Sequence, residues 1–286
     1  MSIIFNILID GISYGMILFM IAVGLSVTMG LMKVINLAHG GFALLGGAFT
    51  HWLTVQAELS FLPAVAIAIL GVVIIAILME FSLFRRIYEF GELEQVLATI
   101  GIAFLIIASV NYWLGSTLLA IKFPEYLSGS INLGFRTLPV HRVFVILIGI
   151  VVVVALYILI ERTRFGVNLR AAVDNRDMAA SLGIDTARIY AITFGLGAGL
   201  AAFGGILGAE LLPIEAYYPL RYMVLFLIVV AVGGMGSILG SFLAAISLGI
   251  LDTAARYLMP DFSTIIFFSA MMLIFIIRPH GLLGKS

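Results

Sequence analysis

Nine apolar runs, at about 3–31, 38–56, 61–83, 96–115, 141–160, 189–210, 222–235, 237–258 and 262–278, fill most of this 286-residue chain. Most approach the ~20 residues a helix needs to cross the ~30 Å hydrocarbon core of a bilayer. Inside hydrocarbon every backbone amide and carbonyl must be paired within its own segment, so repeated runs of this length point to transmembrane helices. Composition agrees: 63% of the residues are hydrophobic and only 10% are charged, against about 25% charged in a soluble domain. The expected fold is an all-α polytopic membrane protein, a single domain over 1–286, with eight or nine transmembrane helices. The count stays open because the seventh run has only 14 residues, about 21 Å of helix at ~1.5 Å per residue. The first run is overlong, and its start, MSIIFNILID, lacks the basic region of a cleaved signal peptide, so it is expected to remain as a membrane helix.

Lysine and arginine orient such a bundle. With the amino terminus outside, the inner segments hold Lys33, Arg85, Arg86, Arg162, Arg164, Arg170, Arg176, Arg188, Arg278 and Lys285. The outer segments then hold Lys122, Arg136, Arg142, Arg221 and Arg256, a ratio of ten to five. The ratio favours this orientation, so the amino terminus is expected outside and the carboxyl terminus in the cytoplasm.

One stretch breaks the apolar pattern. Residues 161–188, ERTRFGVNLRAAVDNRDMAASLGIDTAR, hold nine of the thirty charged residues: Glu161, Arg162, Arg164, Arg170, Asp174, Arg176, Asp177, Asp185 and Arg188. Read as a helix over 168–182, the stretch aligns Arg170, Asp174, Asp177 and Ser181 in one polar stripe, with Arg170 and Asp174 as an i,i+4 pair. Gly183 suits the left-handed residue just past a helix end. Asp185 suits the N-cap of the next membrane helix. A mere connection would need only a few residues, so the segment reads either as a surface that a partner grips or as a solvated interfacial helix near anionic headgroups.

Glycines recur inside the apolar runs as Gly11-x-x-x-Gly15, Gly195-x-x-x-Gly199, Gly204-x-x-x-Gly208 and Gly236-x-x-x-Gly240. Small residues at that spacing let helix backbones approach closely, which makes packing the first reading and a thinned substrate path the second. Asn36, His39, Gly40 and Gly41 open the second run. A polar pair there is costly without partners, so these residues either line a translocation path or form a hydrogen-bonded helix start. Glu80 beside Arg85 and Arg86, and Asp252 four residues before Arg256, read as structural carboxylates. Asp10, Glu210 and Glu215 read as solvated residues of the outer interface.

Other chemistry is excluded. The zero net charge gives no bias toward nucleic acid, and the lack of cysteine removes disulfides and thiol catalysis. The histidines at 39, 51, 141 and 280 have no metal-ligand spacing. Gly284-Lys285-Ser286 resembles the end of a phosphate-binding loop, but residue 279 is Pro where that motif needs Gly, so the chain is not expected to bind ATP itself. No Ser–His arrangement suggests an enzyme.

Several long stretches resemble permease subunits of branched-chain amino-acid ABC importers. They are GLSVTMGLMKVINLAHGGFALLGGA at 24–48, RTRFGVNLRAAVDNRDMAASLGID in the charged loop, VGGMGSILGSFLAA at 232–245 and RPHGLLGK at 278–285. The resemblance implies that the loop is a coupling helix seated in a groove of a cytoplasmic ATPase, with Arg170, Ala172, Asp174, Asn175, Asp177, Ala179 and Gly183 as candidate contacts. Importer permeases carry Glu-Ala-Ala, three residues, then Gly. Here Asp177-Met178-Ala179 and Gly183 keep that spacing with two substitutions, and the usual downstream Pro is missing.

The resemblance further implies a bacterial inner-membrane protein working by alternating access. Its expected partners are a second permease, two ATPases carrying ATP and Mg, a periplasmic substrate-binding protein and membrane lipid, with no cofactor in this chain. Branched-chain or other hydrophobic amino acids are the expected substrates. The alternatives are urea or short amides, and an ion-coupled secondary transporter.

Overall fold

A computed structural model describes residues 2–31, 36–88, 90–132, 137–278 and 281–283. Lys33, Arg136 and Lys285, counted above for orientation, lie outside the described residues. So do Pro279, His280, Gly284 and Ser286 of the carboxyl-terminal motif and positions 32–35 of the amino-terminal one.

Each of the nine apolar runs forms a helix. The first is α1 (Ser2–Leu31), followed by α2 (His39–His51), which continues through a π turn at Trp52–Gln56. Next comes α3 (Phe61–Met79), extended by a second π turn at Glu80–Phe84 and the single turn α4 (Arg85–Ile87). Then follow α5 (Glu92–Leu114), the short α6 (Glu125–Ser128), and α7 (Val140–Arg162). The charged segment forms α8 (Arg164–Asp174) and α9 (Arg176–Ser181). The chain closes with α10 (Thr186–Gly208), α11 (Tyr218–Gly233), α12 (Ile238–Leu258) and α13 (Ser263–Ile277). Two three-residue strands that the apolar pattern did not reveal, β1 (Ser130–Asn132) and β2 (Thr137–Pro139), pair antiparallel with Ile131 opposite Leu138.

Among the described residues, seven helices are long and apolar enough to cross a bilayer: α1, α3 with α4, α5, α7, α10, α12, and α13 with the turn before it. The other two, α2 with 13 residues and α11 with 16, are the short ones, and both are largely buried against their neighbours. A helix enclosed by protein need not match the hydrocarbon thickness, which is why these two can be shorter.

Burial sorts the helices into a centre and a rim. About the centre, 83% of the α1 span and 78% of the α10 span is buried, against 22% for α7 and 6% for α13 at the rim. Glycine makes the centre possible. A Cβ on Gly24 would collide with the Gly197 backbone of α10, and one on Gly11 would lie 2.6 Å from the Ile250 Cα of α12. Gly15 meets Ala245 and Ile246 of α12, Gly204 and Gly208 meet α1, and Gly195 and Gly199 meet Val73 and Ile77 of α3. Three of the four small-residue motifs therefore serve helix contact. The fourth differs: Gly236 precedes α12 in a left-handed turn (φ 80°) beside Gly30, while Gly240 sits against Gly233. Close packing without room for lipid is what binds helices together where the hydrophobic effect no longer distinguishes inside from outside.

Candidate functional site

The charged segment is two helices rather than one. Thr163, in extended conformation, caps α8 by accepting from the Gly166 amide. Asn175 (φ −148°, ψ 101°) ends α8, and its Oδ1 accepts from the Met178 amide at 2.9 Å to cap α9. The single helix expected over 168–182 is thus broken at Asn175, because the local asparagine cap competes with helix continuation. The Arg170–Asp174–Asp177–Ser181 stripe does not run along one axis. Nor do Arg170 and Asp174 form the ion pair. The Arg170 guanidinium instead donates to the Ile160 carbonyl at 2.6 Å and meets Glu161 at 3.4 Å. Ile160 lies in the last turn of α7, where carbonyls lack intrahelical partners and attract cations.

The exit from α9 follows the sequence expectation. Gly183 has φ 85°. Its amide donates to Ala180 at 3.0 Å and the Ile184 amide donates to Ala179 at 3.1 Å, the double closure of a Schellman motif. Asp185 then caps α10, accepting from the Arg188 amide at 3.0 Å.

One face of this corner grips the bundle. Leu169, Ala172 and Ala179 are buried. The Tyr190 hydroxyl of α10 donates to the Ala172 carbonyl at 2.9 Å, and the Arg176 guanidinium lies 5.6 Å from the Tyr190 ring centre. A Cβ on Gly166 would strike the Ile160 carbonyl, so α8 folds back hard on the end of α7. The corner is therefore tied to both α7 and α10.

The opposite face is open, and it differs in part from the predicted contact set. Asp174, Asn175, Asp177 and Gly183 are exposed and Arg170 is half-buried, but Ala172 and Ala179 face the bundle. In their place stand Val167 (56% exposed), Met178 (63%) and Leu182 (77%), large apolar side chains among charges. Sequence reading missed these three because it followed the polar stripe. Their signal was the pattern of apolar residues at helical spacing in a segment otherwise polar.

The second predicted group lies elsewhere. Asn36 and His39 are buried, the Asn36 Oδ1 accepting from the Ala38 amide at 3.0 Å and His39 Nε2 lying 3.0 Å from the Ile21 carbonyl. The Leu37 amide donates to Thr99 at 3.2 Å. Gly40 abuts Pro219, and Gly41 abuts Ile106. The group forms a hydrogen-bonded start of α2, held between α1, α5 and α11.

At the end of the bundle away from the loop, four carboxylates are paired. Asp10 pairs with Arg142 and accepts from the Tyr257 hydroxyl at 2.7 Å. Asp252 pairs with Arg256 at 2.8 Å, the expected i,i+4 contact. Glu215 pairs with Arg221 at 2.5 Å. Glu210 meets His141 at 3.2 Å, and that hydrogen bond holds its carboxyl below the usual carboxylate range. Asp10 is only 7% exposed, so the reading of it as a solvated interface residue is corrected: a carboxylate this enclosed is kept by its guanidinium and phenol. Glu80, at the loop end, is buried 3.7 Å from Arg85.

Comparison with known proteins places this architecture. A family profile described as "Branched-chain amino acid transport system / permease component" matches residues 7–277. The high-affinity branched-chain amino acid transport system permease protein LivH of Salmonella typhimurium is 25% identical over 291 residues, covering 96% of this chain and 94% of that protein. LivH of Escherichia coli K12 matches with the same identity and coverage. The permease protein BraD of Pseudomonas aeruginosa is 25% identical over 293 residues, covering 97% of this chain and 95% of its own. No solved structure matches significantly.

Proposed function

The chain belongs to the family of branched-chain amino-acid transport permeases, and from that premise we propose that it is the membrane-spanning subunit of an ABC importer. It would act in a bacterial inner membrane with its amino terminus outside and its carboxyl terminus in the cytoplasm, in eight or nine passes. Branched-chain or other hydrophobic amino acids are its substrates in this reading, and a periplasmic binding protein delivers them. A second permease completes the pathway, and two ATPases, holding ATP and Mg, drive it.

The observation that carries the reading is the corner formed by α8 and α9. It is capped at Thr163, Asn175, Gly183 and Asp185, tied to α7 by Arg170 and to α10 by Tyr190, and presents Val167, Met178 and Leu182 outward. Exposed apolar anchors ringed by charge are the anatomy of a protein interface. Because the corner is fastened to two helices at once, a partner that moves it moves α7 and α10 together. α10 packs along α1 and α2 in the centre, so the motion reaches the core of the bundle. Asp174, Asn175 and Asp177 are the polar rim of that contact, while Ala172 and Ala179 hold its inner side.

Uptake in proteoliposomes tests the proposal. Purified chain, reconstituted with its ATPases and binding protein, is expected to accumulate labelled leucine only with ATP inside the compartment bearing the ATPases. Unlabelled isoleucine and valine should compete, and urea should not. Competition by urea without competition by valine would establish the short-amide alternative. Accumulation without ATP under an imposed ion gradient would establish a secondary transporter.

A further inference from the structure

Three helices, α1, α7 and α12, bound a hollow at each end of the molecule. Near the loop a hollow of about 400 Å³ lies against Gly30, Tyr157, Glu161, Arg170 and Leu239. At the other end a smaller cavity of about 170 Å³ is lined by Asp10 and Tyr14 of α1, Arg142 of α7, and Asp252, Thr253 and Arg256 of α12. Between the two, the seam is shut by small residues and rings. Gly149 packs on Met16, Gly15 on Ala245, and Phe19 meets Phe242 edge-on at 5.5 Å.

The smaller cavity has an unusual chemistry for a membrane bundle. Asp10 and Asp252 are 7% and 5% exposed, and each is matched by an arginine, so the wall carries two charges of each sign and no net charge. Arg256 extends into solvent while both carboxylates and most of Arg142 are enclosed, so a lone cation or anion entering beside them would leave one charge uncompensated, which is costly. A zwitterion would not. Its ammonium can share a carboxylate and its carboxylate can share a guanidinium, so that each new charge finds an opposite one.

The second observation is Tyr14. Its hydroxyl is buried on this wall with no hydrogen-bond partner among the described residues. An unmet buried donor is costly and calls for a ligand or water to accept from it. The size is also apt, since a cavity of about 150 Å³ holds benzene.

We propose that the cavity between α1, α7 and α12 is a subsite for an amino-acid zwitterion, held by the Asp10–Arg142 and Asp252–Arg256 pairs with the Tyr14 hydroxyl donating to its carboxylate. This rests on the amino-acid permease reading and adds a place and a chemistry to it. The closed seam beneath the cavity and the larger hollow beyond it are then the two sides of one route.

The chain has no cysteine, so Thr253→Cys introduces a unique thiol into the cavity wall. The assembled transporter carrying this change is labelled with a small methanethiosulfonate reagent in the presence of graded L-leucine, isocaproate or isoamylamine. Leucine is expected to slow labelling several-fold, whereas isocaproate, lacking the ammonium, and isoamylamine, lacking the carboxylate, should leave it unchanged. Adding Tyr14→Phe should raise the half-protecting leucine concentration about tenfold, the scale of one lost hydrogen bond to a charged group. A purely structural Tyr14 would not move that concentration, since removing an unpaired buried hydroxyl costs the fold nothing. Labelling that leucine never slows, or that all three compounds slow equally, would overturn the proposal. Leucine uptake by the unsubstituted transporter is measured in parallel. Uptake without protection sinks the subsite alone, and absence of uptake sinks the amino-acid reading beneath it.

Discussion

Charged residues are used in opposite ways in the α8–α9 corner and around the small cavity at the far end of this molecule. In the corner of α8 and α9, Asp174, Arg176, Asp177 and Asp185 stand exposed, and the segment is held by backbone contacts: Arg170 on a carbonyl, Tyr190 on a carbonyl, three side-chain caps. At the far end, Asp10 and Asp252 are buried and held by arginine. The difference follows from what each has to meet. Exposed charges around apolar anchors leave their desolvation to be settled when a large partner arrives. The two buried carboxylates have already met that cost through their arginines, Arg142 largely enclosed and Arg256 reaching out to solvent, so a ligand beside them has to balance both signs.

This contrast can be broken by substitutions of graded effect. Asp10→Ala removes the carboxylate paired with Arg142 and an acceptor of the Tyr257 hydroxyl, and breaking a buried pair in this way costs about 3–5 kcal/mol. It is expected to cause the largest fall in the thermal unfolding midpoint in detergent; no fall would mean that water already screens the pair. Leu182→Asp places a charge on the most exposed apolar anchor of the corner. Affinity for the ATPase should drop about thirtyfold, roughly 2 kcal/mol, with the unfolding midpoint unmoved. A shifted midpoint with unchanged affinity would make Leu182 a fold residue.

Smaller effects sharpen the comparison. Asn175→Ala removes the α9 cap, expected to cost about 1 kcal/mol. Hydrogen exchange should speed in 176–181 and leave α7 and α10 protected. Glu161→Ala removes the exposed partner of Arg170 and should cost less than about 1 kcal/mol, since the guanidinium keeps the Ile160 carbonyl. A loss equal to that of Asp10→Ala would erase the distinction between the two ends.

Much of this was legible in the sequence because it depends on neighbours along the chain. Nine apolar runs announced nine helices, Gly183 its left-handed turn, Asp185 its cap, and Asp252 its pairing with Arg256. What stayed hidden depends on distant partners or on competition between two local options. Asn175 is compatible with a helix until its side chain is seen to cap the next one. Ala172 and Ala179 turn inward because Tyr190 and the bundle lie there. The meeting of Asp10 with Arg142 and Tyr257 joins residues more than a hundred positions apart, and no local period records it.

The central claim is that the α8–α9 corner is the surface an ATPase grips. Its most direct test is a single cysteine at the exposed Met178, labelled with a membrane-impermeant maleimide in inverted and right-side-out vesicles, with and without the ATPases. Labelling confined to inverted vesicles, and suppressed when the ATPases bind, is the predicted result. Labelling in right-side-out vesicles, or labelling that bound ATPases leave untouched, would contradict it.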